Sequence, residues 1–293
     1  MCAVLFGLAA YSSPAHGQKR ITVGLYAPTA PFIGPSQRLE YVTRLAEHLS
    51  KAAPGKRVVG RVFASGGAFV SAVNRGDVQF AVVDAPYAAA RGLPYRVLAS
   101  AARRGSSTGS WMLVSKSVSS LSQLKGKTLA IPRVGARARA FVANVLFEGE
   151  IATNYFGKLT KAPDTHSAVT LVGLGRASAA VVPVGVTLSR GVRKLVTLRK
   201  VGWPMFVAVR GADAGLVARF RRQVLSHAGG SVLTGFTTAT RASYKGLRSS
   251  FAGRKHKGPM AVAKPSRLAV SGLLRGRKFR IDVIDIASLV SEK

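Results

Sequence analysis

The side chains best able to do chemistry in this sequence fall at the ends of its predicted strands. Tyr26 and Ser65 close the first two, and Asp84 and Tyr87 follow the third. In an open α/β sheet, ligands bind in the crevice beyond the carboxyl ends of the strands, so these four are candidate ligand contacts, with ordinary turn and cap roles as the alternative for each. A further feature is a basic loop, Pro132-Arg133-Val134-Gly135-Ala136-Arg137-Ala138-Arg139, which ends a strand and runs into a helix expected over 140–148. Arg137 and Arg139 there read either as anion contacts or as a solvated basic helix start.

Catalytic chemistry has little to draw on. Gly126-Lys127-Thr128 matches the end of a phosphate-binding loop, but that motif needs a glycine five residues earlier, and position 121 is Leu. There is no pair of metal-binding histidines with a glutamate and no nucleophile elbow, and only 11 carboxylates are available as acids or bases. The expectation is a protein without catalytic residues, metal or cofactor.

The elements that must position these residues come from a chain of 293 residues that is 47% hydrophobic, enough for two lobes that each bury a core. Charge is lopsided: 44 Lys and Arg stand against 11 Asp and Glu, a net +33, with no acidic residue between Asp213 and Asp282. Such a surface attracts polyanions. The single cysteine, Cys2, excludes a disulfide framework and a thiolate metal site. Residues 3–11 form a short apolar run followed by Ala15-His16-Gly17, the pattern of a secretory signal over 1–17 with the mature chain starting near Gln18. No other stretch approaches the length of a membrane span.

Strand and helix patterns alternate. Residues 21–26 alternate as a strand, residues 37–51 place Leu39, Val42, Leu45, Ala46 and Leu49 on one helical face before Pro54-Gly55, residues 57–63 form a second strand, and residues 68–74 a short helix. This order implies an α/β fold with a largely parallel sheet. Ser71-Ala72-Val73 with Gly76 to Val83 is echoed about 95 residues later by Ser167-Ala168-Val169 with Gly175 to Val182, as two lobes of related architecture would give. Trp111 to Val114 reads as a strand, as do residues 128–131 and 279–286; residues 203–209 bring the chain back to the first lobe, and residues 215–227 form a basic helix.

Four pieces, in order and spacing, carry a resemblance to a known family: residues 21–28, Arg75-Gly76-Asp77-Val78-Gln79-Phe80-Ala81-Val82-Val83, Ser120-Leu121-Ser122-Gln123-Leu124-Lys125-Gly126-Lys127, and residues 167–183. They resemble the type 2 periplasmic solute-binding proteins of ABC transporters, in the phosphonate/phosphite-binding branch. The resemblance implies two mixed α/β lobes joined by two hinge strands, closing on a ligand and handing it to an ABC permease in the inner membrane. It implies a first lobe from 18–108 and 204–254, a second from 109–203, and a basic extension over 255–293. Trp203 beside Pro204 then reads as hinge packing.

The departures concern the ligand. Where the branch carries Ser and Thr hydroxyls for phosphoryl oxygens, this chain has Arg133, Gly135, Ala136 and Arg137. Backbone N–H groups and a bidentate guanidinium still suit an anion. A ligand histidine of the family falls at Thr165 or His166, and the family's amine-binding carboxylate has no counterpart near Val182-Pro183. The expected function is therefore an exported, monomeric solute-binding protein for a small anion. A polyanion-binding protein (nucleic acid, lipopolysaccharide or wall polymer) and a periplasmic sensory module are the alternatives.

Overall fold

Strand and helix patterning translates into a run of alternating elements in the computed structural model, which describes residues 20–209, 211–239 and 241–253. The expected signal segment, the basic extension and the strand over 279–286 lie outside the described residues. The chain opens β1 (Arg20–Tyr26), α1 (Gly34–Ser50), β2 (Arg57–Val62), α2 (Gly66–Asn74), β3 (Phe80–Val83), α3 (Ala85–Arg91) and β4 (Arg96–Ala102). It crosses into β5 (Thr108–Ser115), β6 (Thr128–Pro132), α4 (Ala138–Ala140) with a π-helical continuation over Phe141–Leu146, β7 (Lys158–Ala162), α5 (Thr165–Gly173), β8 (Ala179–Pro183) and β9 (Arg193–Gly202). It returns through β10 (Met205–Ala208), α6 (Ala214–Leu225), β11 (Gly235–Thr238) and α7 (Arg241–Ser250).

These strands build two mixed sheets flanked by helices, a two-lobed α/β fold. The first has the order β11-β4-β10-β3-β1-β2 and the second β7-β6-β8-β5-β9. In the first, β1 is parallel to β2 and β3 while β10 runs antiparallel to β3; in the second, β6 is parallel to β7 and β8 while β5 runs antiparallel to β8. The order β2-β1-β3-β10-β4 thus recurs as β7-β6-β8-β5-β9, and the echoed sequence segments occupy equivalent places, α2–β3 and α5–β8. β5 follows directly from β4 of the first sheet, and β10 from β9 of the second, so two crossings form the hinge.

Helix α1 starts with Pro35 in its first turn, where a missing N–H costs nothing, and buries Tyr41, Val42, Leu45, Ala46 and Leu49 against the first sheet. Leu39, expected on that face, is 53% exposed. Arg38 lies nearer the centre of the stripe, three, four and seven residues before Tyr41, Val42 and Leu45. The close fit of α1 on β2 requires Gly60, where an added Cβ would come within 2.7 Å of the Val42 carbonyl oxygen. Both faces of the first sheet are covered: Phe80 and Phe206 pack with Phe220 of α6 and the buried face of α1, while Met205 packs in a cluster with Phe69 of α2, Tyr87 of α3 and Tyr244 of α7. Helix α7 ties the lobes together. The Tyr244 hydroxyl donates to Ser100 Oγ in the first lobe at 2.8 Å, and Phe251, just past α7, is buried in the core of the second, stacked on Phe141 at 5.8 Å.

Candidate functional site

The parallel strands of each sheet point their carboxyl ends at the space between the lobes, which brings several of the sequence-predicted residues together. Tyr26 pairs with Val83 across β1 and β3, and the Asp84 N–H donates to the Tyr26 carbonyl at 3.0 Å, so the two emerge side by side. The Tyr26 ring is buried, stacks on Phe69 at 5.9 Å and meets Tyr87 edge-on at 4.6 Å. Tyr87 donates its hydroxyl to the Gly66 carbonyl at 3.0 Å and receives a bond from Arg91 at 3.3 Å. Burial raises both phenols above the ordinary tyrosine range, and the nearby Asp84 adds to the rise at Tyr26. Both therefore stay neutral as donors.

Asp84 is the most constrained of the group. Its side chain is buried; Oδ2 accepts the Thr29 N–H at 2.7 Å, while Oδ1 has no partner. Burial pushes its pKa up to about 7, against the smaller opposing pull of hydrogen bonds from Thr29 and the charge of Arg38. Ser65 takes the cap role: its Oγ accepts the Ala68 N–H at 3.2 Å at the start of α2.

Three guanidinium groups bridge the lobes. Arg38 of α1 pairs with Asp164 Oδ2 at 3.1 Å, in front of α5. Arg133, after β6, donates to the Ala64 carbonyl after β2 at 3.3 Å. Arg103, in the crossover after β4, donates to the Val184 and Gly185 carbonyls after β8 at 3.0 and 3.3 Å and lies 5.9 Å from the ring centre of Trp203. Gly135 crosses as well: its φ of 102° is accessible chiefly to glycine, and an added Cβ would stand 3.5 Å from the Tyr87 ring. The hydrogen bonds of Arg133 and Arg103 go to neutral carbonyls; among the described residues neither has a carboxylate within ion-pair distance. Arg38 Nε, Asp84 Oδ1 and Thr165 Oγ1 are buried around this closure without hydrogen-bond partners, a set of unmet donors and acceptors of the kind a ligand satisfies.

Other predicted residues lie elsewhere. Arg137 precedes α4, but its guanidinium donates to the Phe251 carbonyl at 3.1 Å and lies 5.3 Å from the Phe251 ring centre, so it braces α7 and not the cleft. Ala136 is exposed. His166 is exposed too, whereas Thr165, its neighbour, is buried toward the second lobe's carboxyl end. Arg139 is spent on the Thr153, Phe156 and Gly157 carbonyls. Arg38, Arg103, Thr29 and Asp164 were missed by the sequence reading. An arginine centred on the apolar stripe of α1 was the available signal for the first, and an Asp three residues before Ser167 marked the last as a helix cap, confirmed by its Oδ1 accepting the Ser167 N–H at 2.8 Å. Among the described residues no group of three or more His, Cys, Asp and Glu side chains comes together as a metal site.

Comparison with known proteins agrees with this architecture. Residues 29–240 match the family model described as ABC transporter, phosphonate, periplasmic substrate-binding protein. None of the curated proteins matches the chain by sequence. Among solved structures, PhnD1 from Prochlorococcus marinus in complex with methylphosphonate superposes with a TM-score of 0.63 at 15% identity, covering 80% of this chain and 97% of that one. A binding protein component of an ABC phosphonate transporter from Pseudomonas aeruginosa gives 0.63 at 11% identity, covering 80% and 85%. XAC2383 from Xanthomonas citri bound to ATP gives 0.62 at 15%, covering 80% and 97%.

Proposed function

Because this chain belongs to the periplasmic substrate-binding protein family of phosphonate ABC transporters, we propose that its inter-lobe cleft captures a small oxyanion by hinge closure. Membership makes it the extracytoplasmic solute-binding component of an importer, with a membrane permease as partner. The observation that carries the oxyanion reading is Arg133 and Arg103, two guanidinium groups at the lobe junction whose positive charge is met by neutral carbonyls and, for Arg103, the Trp203 ring, with no carboxylate. A half-buried guanidinium without a counter-charge is an incomplete site, and an oxyanion completes it with charge-assisted, bidentate bonds. The neutral phenol of Tyr26 and the protonated form of Asp84 supply donors, while the Tyr87 hydroxyl is already given to the Gly66 carbonyl. Methylphosphonate in the Prochlorococcus protein is one ligand of this chemistry. The working unit is a single chain, which supplies both lobes, and its role is capture and delivery without catalysis.

Thermal unfolding at fixed moderate salt, against phosphate, phosphite, methylphosphonate, sulfonates and simple carboxylates, tests this. A true ligand at 100 times its dissociation constant adds about 2.7 kcal/mol to stability. A selective rise with one oxyanion class is expected. Stabilisation by heparin or DNA, with no small anion acting, would replace this reading with polyanion binding.

A further inference from the structure

Over β4 and β10, on the face of the first sheet that carries α3 and α7, residues of both helices line a cavity of about 740 Å³. Its walls are apolar: Val97 and Met205 belong to the sheet, and Ala88, Ala89 and Leu93 to α3 and the residues after it. Gly92, in the left-handed cap of α3, adds no side chain; a Cβ there would lie 3.2 Å from the Arg248 guanidinium. Arg137, Lys245 and Arg248 also line the cavity, and no Asp or Glu among the described residues does. Two phenols complete it: Tyr244, which donates to Ser100, and Tyr95, held neutral by burial that pushes its pKa up to about 12.

An apolar hollow of this size lies in the range of small-molecule sites, about 300–1,000 Å³. Its chemistry is two-part, hydrocarbon walls beside three cations, and differs from the arginine-bridged cleft. We propose that it binds a monomeric amphiphilic anion of the fatty-acid class, the chain lying on Val97, Met205 and Leu93 and the carboxylate at Lys245 and Arg248. Charge argues for this occupant over the chain's own residues 254–293, which carry ten Lys and Arg against three acidic residues and would be repelled by the three cations.

The test uses the full chain at fixed salt, with anilinonaphthalene sulfonate as a fluorescent apolar anion, displaced by decanoate or by its neutral counterpart decanol. Decanoate is expected to displace the dye more strongly than decanol. The double substitution Lys245→Glu with Arg248→Glu, at exposed positions, should weaken decanoate about tenfold as two attractions become repulsions, leaving decanol unchanged. Ala89→Phe, which fills the hollow, should abolish binding of both. Equal decanoate affinity in the charge-reversed protein overturns the proposal, as does decanoate that fails to displace the dye. If Ala89→Phe does not fold, the charge-reversed protein decides alone.

Discussion

Arg133→Ala is expected to weaken oxyanion binding about 10- to 100-fold while leaving the melting temperature of the ligand-free protein nearly unchanged. The guanidinium makes one long bond to a neutral carbonyl, Ala64, at 3.3 Å, so little stability rests on it in the free state. A bound oxyanion would convert it to a charge-assisted pair in a partly desolvated site, worth about 1.5–3 kcal/mol, which is the quoted range of affinity. Arg133→Lys should fall between, since it keeps the charge and loses the planar fork. Arg176→Ala, at an exposed position, should leave affinity within about twofold, the size of effect expected from a screened surface charge. Calorimetric titration with the oxyanion that gives the thermal shift measures all three.

Asp84→Asn should change the pH dependence of stability more than any other single substitution at the site. The folded carboxyl titrates at about 7 against 3.8 for the unfolded chain, because burial disfavours its charge. Between these values the folded protein holds a proton that the unfolded chain has released. The carboxyl therefore contributes its full stability below about pH 4 and loses it as pH rises toward 7, by about 4 kcal/mol. Asn is neutral throughout and keeps an acceptor for the Thr29 N–H. Relative to the parent, Asp84→Asn should therefore gain stability steadily from pH 4 to 7 and hold that gain above. His227 acts in the opposite sense: burial lowers its pKa to about 4 from 6.5, so its contribution is lost as pH falls through that window. His227 is common to both proteins and drops out of their difference. Urea unfolding of the pair in matched buffers from pH 4 to 8 reads that difference; a constant gap across the range would show that Asp84 is not buried as described.

Much of the frame was legible because local patterning and tertiary role coincide. Residues 21–26 alternate and form β1, the predicted second strand over 57–63 is β2 (Arg57–Val62), the stripe Val42-Leu45-Leu49 is the buried face of α1, and the two echoed segments occupy matching places in two sheets of matching order. The long edge strand β9 escaped notice since its exposed run Arg193-Lys194 and Arg199-Lys200 hides any apolar period. Such charges are what an unpaired edge requires. The site was legible only where the backbone decides. Tyr26, Asp84 and Tyr87 follow from the ends of parallel strands, whereas Ser65 is absorbed by its helix cap. Arg137 is drawn off by Phe251, 114 residues away, a contact no local pattern announces. At α5 a one-residue difference in helical phase buries Thr165 and exposes His166. Arg38 and Arg103 gain their meaning from partners on the other lobe, which only the folded chain brings near.

Closure of the two lobes on an oxyanion is measured most directly by the distance between them. Spin labels on Thr43→Cys in α1 and Lys161→Cys in β7, both exposed, with Cys2→Ser removing the one native thiol, report that distance by pulsed electron resonance. Adding the stabilising oxyanion should collect the distribution into one short, narrow population, and Arg133→Ala should require 10- to 100-fold more of it, in line with the affinity loss expected above. A distribution that stays the same at saturating oxyanion would contradict capture by hinge closure.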